Sequence, residues 1–126
     1  MLHIELTRWA DCLLIAPLSA NYMAKLALGL CDDLLTSVVR AWPPEKHILL
    51  VPAVHHALWR HPVTCPQLEV LSAIPNYWFL SKDGLAPTMS RCQTPWRETL
   101  PAPDAIAEAL QSMQDRVGKA SESIQL

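Results

Sequence analysis

The chain of 126 residues has three glycines, Gly29, Gly84 and Gly118, and no two of them are close together. A glycine-rich phosphate loop is therefore excluded, because such a loop needs several residues without a Cβ to bring backbone N–H groups onto a phosphate. Aromatic residues make up only 6%, yet the hydrophobic fraction of 51% is that of a folded chain and argues against disorder. No basic run occurs and the formal charge is -2, which removes the electrostatic basis for binding nucleic acid or an anionic membrane surface. No apolar stretch approaches the roughly 20 residues of a membrane span. His3 and Glu5 stand where a signal peptide would carry a basic start and an apolar run. A cytoplasmic protein of one small domain, 1–126, is expected.

The four cysteines, Cys12, Cys31, Cys65 and Cys92, are far apart and form no C-x-x-C pair. No disulfide framework and no structural zinc site are expected, and Cys12 reads as a small core residue. His55, His56 and His61 lack the spacing of a metalloprotease helix, and adjacent histidines on a helix point about 100° apart, so no metal is assigned.

What is present is concentrated between His3 and Trp42. Leu2 to Trp9 reads as a short helix or turn with Ile4, Leu6 and Trp9 available to the core. Cys12 to Pro17 is apolar, too short for a helix and ended by proline, so it reads as a fully buried strand. A helix from about Ala20 to Leu28 follows, with Gly29 as a left-handed C-cap. Asp32 is placed to cap the next helix, Asp33 to Trp42, before Pro43-Pro44. Ile48 to Val51 is a second buried strand, Thr64 caps a short helix bearing Leu68, Val70 and Leu71, and Tyr77 to Leu80 is a third strand. Residues 95–103 form a proline-rich connector, and a last helix from Asp104 to about Val117 is stopped by Gly118, leaving 119–126 as a frayed tail.

A strand that opens into a short polar loop and a helix start is where open α/β sheets hold anionic cofactors, since free N–H groups converge there. Ser19-Ala20-Asn21 is such a loop. On the residues alone, Ser19 equally serves as a helix cap and Asn21 as a turn residue.

The stretches HIEL-x-RWAD, APLSAN, GLCD-x-LLT-x-x-x-RAW, Ile48 to Ala53, Leu58-Trp59 and His61-Pro62-Val63-Thr64 resemble the homo-oligomeric flavin-containing cysteine decarboxylases, in particular the phosphopantothenoylcysteine decarboxylase branch. The resemblance covers residues 2 to about 73. It implies a three-layer, parallel-sheet α/β sandwich of flavodoxin-like or Rossmann-like type that lacks the N-terminal strands of the family and with them a glycine-serine part of the flavin phosphate site. Flavin mononucleotide (FMN) is the implied cofactor, bound weakly or not at all by the chain as given, with Ser19, Ala20, Asn21, Tyr22 in place of a threonine, and Ala53 around it. His3, otherwise an exposed surface histidine, matches the family's active-site histidine near a subunit boundary. Histidine suits proton transfer because both of its forms are populated near neutral pH. Arg8, His55, Ser81 and Asp83 fall at substrate-binding places.

Two departures matter for the chemistry. The family's Pro-Ala-Met-Asn motif is Pro52-Ala53-Val54-His55 here, so a histidine stands where an asparagine would hold the substrate carboxylate. In the clamp segment, Ser81 replaces the reactive cysteine and only Asp83 and Met89 match; Cys92 is displaced. A hydroxyl is much less acidic than a thiol and cannot take over its proton donation. The segment reads equally as a proline-containing loop. The implied function is FMN-dependent decarboxylation of the cysteinyl carboxylate of 4'-phosphopantothenoylcysteine, in coenzyme A synthesis, by a homotrimer or mixed trimer. The alternatives are a non-catalytic subunit that supplies its histidine to a partner, a phosphatase-inhibitor-like regulator, or an inactive fragment.

Overall fold

The computed structural model describes residues 1–89 and 97–124, in the order α1 (Leu2–Trp9), β1 (Cys12–Leu18), α2 (Ala20–Leu28), α3 (Leu34–Arg40), β2 (His47–Pro52), α4 (His56–Trp59), α5 (Thr64–Ser72), β3 (Tyr77–Ser81), β4 (Gly84–Ala86) and α6 (Pro103–Ile124). The strands form one sheet in the order β1-β2-β3-β4. β1, β2 and β3 are parallel, with Leu14 opposite Leu49 and Leu50 opposite Phe79, and β4 returns antiparallel. Pairing slips between Ile15 and Leu18, where Pro17 has no N–H to donate.

Alternation along the strands divides the core into two layers. Ile15, Ile48, Leu50, Tyr77 and Phe79 face the layer formed by α2, α3 and α5, with Met23, Leu26, Val38, Leu68 and Leu71 packed against them. Leu49, Val51 and Leu80 face the opposite side and meet Ile106, Ala109 and Met113 of α6. Covering both faces is what a parallel sheet requires, and it explains the nearly unbroken apolar run of β2. β1 departs from the expectation of a fully buried strand: it lies at the end of the strand order and Leu14 is 37% exposed.

The helix ends show the local chemistry. α2 starts at Ser19, whose Oγ accepts from the Tyr22 N–H, and stops at Gly29 with φ +74°. A Cβ there would meet Arg40 Nη1, the mobile end of a flexible side chain that can move aside, so it is the left-handed φ that calls for glycine. Asp33, rather than Asp32, caps α3: the Thr36 N–H donates to Asp33 Oδ1 at 2.8 Å and the Asp33 N–H donates to Thr36 Oγ1 at 3.0 Å. The Tyr22 hydroxyl donates to Asp33 Oδ2 at 2.6 Å. At the end of α1, Lys46 Nζ donates to the carbonyls of Thr7 (2.8 Å), Arg8 (3.3 Å) and Ala10 (2.8 Å), so a cation closes the helix where its dipole is negative. Nothing in the spacing of the sequence indicates that contact.

The Thr36 N–H, followed by the Tyr22 hydroxyl, holds the Asp33 carboxyl at about 2 against its usual 3.8. A depressed folded-state value means that stability is fully present above the ordinary value and is lost as the pH falls through the folded one. The melting midpoint should therefore drop between pH values of about 3.8 and about 2. Asp33→Asn should lower the midpoint at neutral pH and flatten that acid limb. An acid limb unchanged by the substitution would show that Asp33 is not its source.

Four further expectations are corrected. Trp9 is 80% exposed and contributes little to the core. Thr64 lies inside α5 instead of capping it, its buried hydroxyl donating to the Leu58 carbonyl at 3.3 Å, while Val70 is exposed. α6 does not stop at Gly118 and continues to Ile124, since one glycine without a following turn is tolerated in a helix. Cys65 is disulfide-bonded, whereas Cys12 and Cys31 are free thiols. Cys92 and residues 95 and 96 of the connector lie outside the described residues. Among the described residues, no helix is long and apolar enough to cross a membrane.

Candidate functional site at the carboxyl edge of the sheet

Because β1, β2 and β3 are parallel, the residues after Leu18, Pro52 and Ser81 emerge on one edge. The sheet order thus gathers Ser19 with the first turn of α2, the Ala53 to His55 loop and the Lys82-Asp83 turn, where open α/β sheets place their ligands. The Ala53 N–H donates to the Leu18 carbonyl at 3.3 Å and joins the first two segments.

Around the first segment, Ser19 Oγ is engaged as the cap and the Tyr22 hydroxyl is committed to Asp33, a bond that also raises the Tyr22 pKa. Ala20 and Asn21 open the helix with no acidic residue in its first turn, and Asn21 is exposed. A pocket of about 250 Å³ lies beside them, lined by Ala20, Met23, Val54, Trp59 and Thr64 among others. Its lining is largely apolar. That volume is below the roughly 300 to 1,000 Å³ of a complete small-molecule site.

At the second loop, Val54 is buried and its N–H donates to the Arg97 carbonyl at 2.8 Å. His55 is exposed, and its Nδ1 accepts from the Ala57 N–H at 3.1 Å as the cap of α4. Glu98 Oε1 accepts from the His56 N–H at 3.2 Å and lies 3.0 Å from His56 Nδ1. This partner, led by the hydrogen bond from His56, keeps the Glu98 carboxyl below its usual range.

The chain from Ser81 to Ala86 takes the form of a hairpin instead of a loop. Ser81 pairs with Gly84 across Lys82-Asp83, and Gly84 has φ +102°, which a residue with a Cβ rarely adopts. Ser81 is buried, its Oγ accepts from the Asp83 N–H at 3.2 Å and its carbonyl accepts from Arg97 Nη2 at 3.4 Å. Arg97 and Glu98, within what the sequence presents as a connector, therefore tie the ends of β2 and β3 together. Only the fold brings them there.

His3 and Arg8 belong to a different element. They are on α1, which packs on α3, and among the described residues neither side chain has a hydrogen bond to the carboxyl-edge loops.

A family model described as Flavoprotein matches residues 1–117 of the chain. Over 73 residues the chain is 52% identical to the phosphopantothenoylcysteine decarboxylase of Mus musculus, covering 58% of this chain and 36% of that protein. Over 72 residues it is 61% identical to a probable thymidylate synthase of Schizosaccharomyces pombe, covering 57% of this chain but 12% of that protein. The solved structure of the FMN binding protein AtHal3 superposes with a TM-score of 0.75 at 34% identity, over 92% of this chain and 60% of the other. The chain thus spans much less than the full length of these curated relatives. The superposition bears out a flavodoxin-like α/β sandwich.

Proposed function

This chain belongs to the Flavoprotein family, and from that premise we propose that it is an FMN-binding protein of the phosphopantothenoylcysteine decarboxylase type. The observation that carries the reading is the convergence of the Ser19 to Asn21, Ala53 to His55 and Lys82-Asp83 segments on one edge of a parallel sheet. The residues present fit part of a flavin site. The first turn of α2 has no carboxylate to repel a phosphate, and the pocket beside Ala20 and Val54 offers an apolar wall to a ring.

Bound FMN would supply the two-electron oxidation and re-reduction that allow a cysteinyl carboxylate to leave as carbon dioxide. The chain's own part is positioning. Asn21 and the adjacent N–H groups would hold the phosphate end, Ala53 would permit close approach, and His55 would face the substrate carboxylate as a hydrogen-bond donor. His3 would move a proton for a site completed by a second subunit in a trimer. One observation favours a second reading, in which the chain lends His3 to a partner and performs no full reaction: Ser81 is buried and its hydroxyl closes the hairpin turn.

The test is titration of the chain with FMN and with riboflavin, followed by flavin fluorescence. FMN should bind the more tightly, because the phosphate is read at the start of α2. Asn21→Asp, which sets a like charge beside that phosphate, should weaken FMN about tenfold and leave riboflavin unchanged. Equal affinity for the two flavins, or no effect of Asn21→Asp, would remove Ser19 to Asn21 from the cofactor site.

A further inference from the structure

Where the resemblance places a neutral asparagine, the fold assembles imidazoles and a carboxylate. A ligand atom from each of His55, His56 and Glu98 lies within 4.8 Å of the other two, and all three residues are exposed. We propose that this group is a binding site for a borderline divalent transition ion of the zinc type, independent of any flavin.

Adjacent histidines inside a helix would diverge, which is why their spacing alone points away from a metal. These two are not both inside one. His55 is the cap of α4, with φ -57° and ψ 140°, and His56 is its first helical residue. The break in conformation brings the rings to 4.4 Å between centroids with 32° between their planes. The third ligand arrives from the far side of the edge, because the Val54 N–H to Arg97 carbonyl bond sets the register of the following residue, Glu98.

The donor set selects the ion. Two imidazoles and one carboxylate suit zinc, cobalt, nickel or copper, whereas magnesium and calcium prefer all-oxygen shells. Metal to ligand distances of about 2.0 to 2.2 Å require the three groups to close by roughly an ångström, which exposed side chains can do. Closing replaces the His56 to Glu98 hydrogen bond and the acceptance of the Ala57 N–H by His55, and water can satisfy the freed N–H. Three protein ligands leave a fourth position open to water or to a carboxylate. An occupied site would cross-link the loop after β2 to the segment that also holds the Ser81 carbonyl.

The experiment is calorimetric titration of the full chain with zinc chloride, together with the visible spectrum of its cobalt(II) form. One equivalent should bind and raise the melting midpoint, and cobalt should give the intense bands of a four- or five-coordinate site. His56→Ala and Glu98→Gln should each weaken binding by at least about tenfold, the lower end of what loss of a mere outer-shell partner costs. His61→Ala, outside the cluster, and Cys31→Ser, the exposed free thiol, should leave it unchanged. Absence of zinc binding, binding insensitive to both His56→Ala and Glu98→Gln, or binding lost with Cys31→Ser would overturn the assignment. Because no flavin enters the measurement, its outcome is separate from that of the FMN titration.

Discussion

Mixing this chain with a phosphopantothenoylcysteine decarboxylase whose own active-site histidine has been changed to alanine should restore carbon dioxide release, and His3→Ala in this chain should abolish the restoration. The expected loss is about 10²- to 10⁴-fold, the usual contribution of a positioned acid or base. His3 is on α1, a separate element from the loops that carry His55 and Ser81, and among the described residues its side chain makes no hydrogen bond to them. The edge itself has Val54-His55 and a buried Ser81 where the resemblance would put an asparagine and a cysteine. A chain built in this way can still complete a neighbour's site through a head-to-tail interface, the kind that closes into a ring. Native mass spectrometry of the mixture should show a mixed oligomer. Rescue that survives His3→Ala, or the absence of any mixed species, would leave the chain without a catalytic contribution through His3.

Phe79→Ala should remove a large share of the protein's stability. The ring is fully buried at the centre of β3, paired with Leu50 on one side and Ala86 on the other, and it packs in the larger core layer. Deleting a buried phenylalanine ring costs about 3 to 5 kcal/mol, against a total stability of about 5 to 15 kcal/mol for a domain of this kind. Val70→Ala is the matched control: Val70 is 48% exposed on α5, and the change should fall within about 0.5 kcal/mol. Urea unfolding followed by circular dichroism measures both. A cost below about 1 kcal/mol for Phe79→Ala would mean that β3 does not occupy a central place in the sheet.

Much of the fold is legible residue by residue because it depends on near neighbours. The apolar run Ile48 to Val51, bounded by Pro43-Pro44 and Pro52, is a strand, and α2 runs from Ala20 to Leu28 between a serine cap and a left-handed glycine as its sequence predicts. Capping bonds span a few residues and side-chain periodicity is a property of one element, so both are written locally. That a helix opens at Ser19 directly after a strand is legible for the same reason, although Ala20 and Asn21 form its first turn and not a loop, and the resemblance across residues 2 to about 73 agrees with the family and fold found by comparison.

What depends on strand order was decided by the tertiary structure. β1 is apolar enough to be buried throughout, yet Leu14 remains partly exposed because the strand lies at the end of the sheet order. Lys46 closes α1 from a loop 36 to 39 residues away. Ser81 stands in the sequence at the head of an open segment and is instead sealed into a two-residue turn by pairing with Gly84. Glu98 meets His56 across 42 residues, a contact that exists only because β2 and β3 run parallel and Arg97 bridges their ends. Helix periodicity set those histidines apart, and the backbone break at the start of α4 brought them together, since ring direction follows φ and ψ at the residue and not its spacing along the chain.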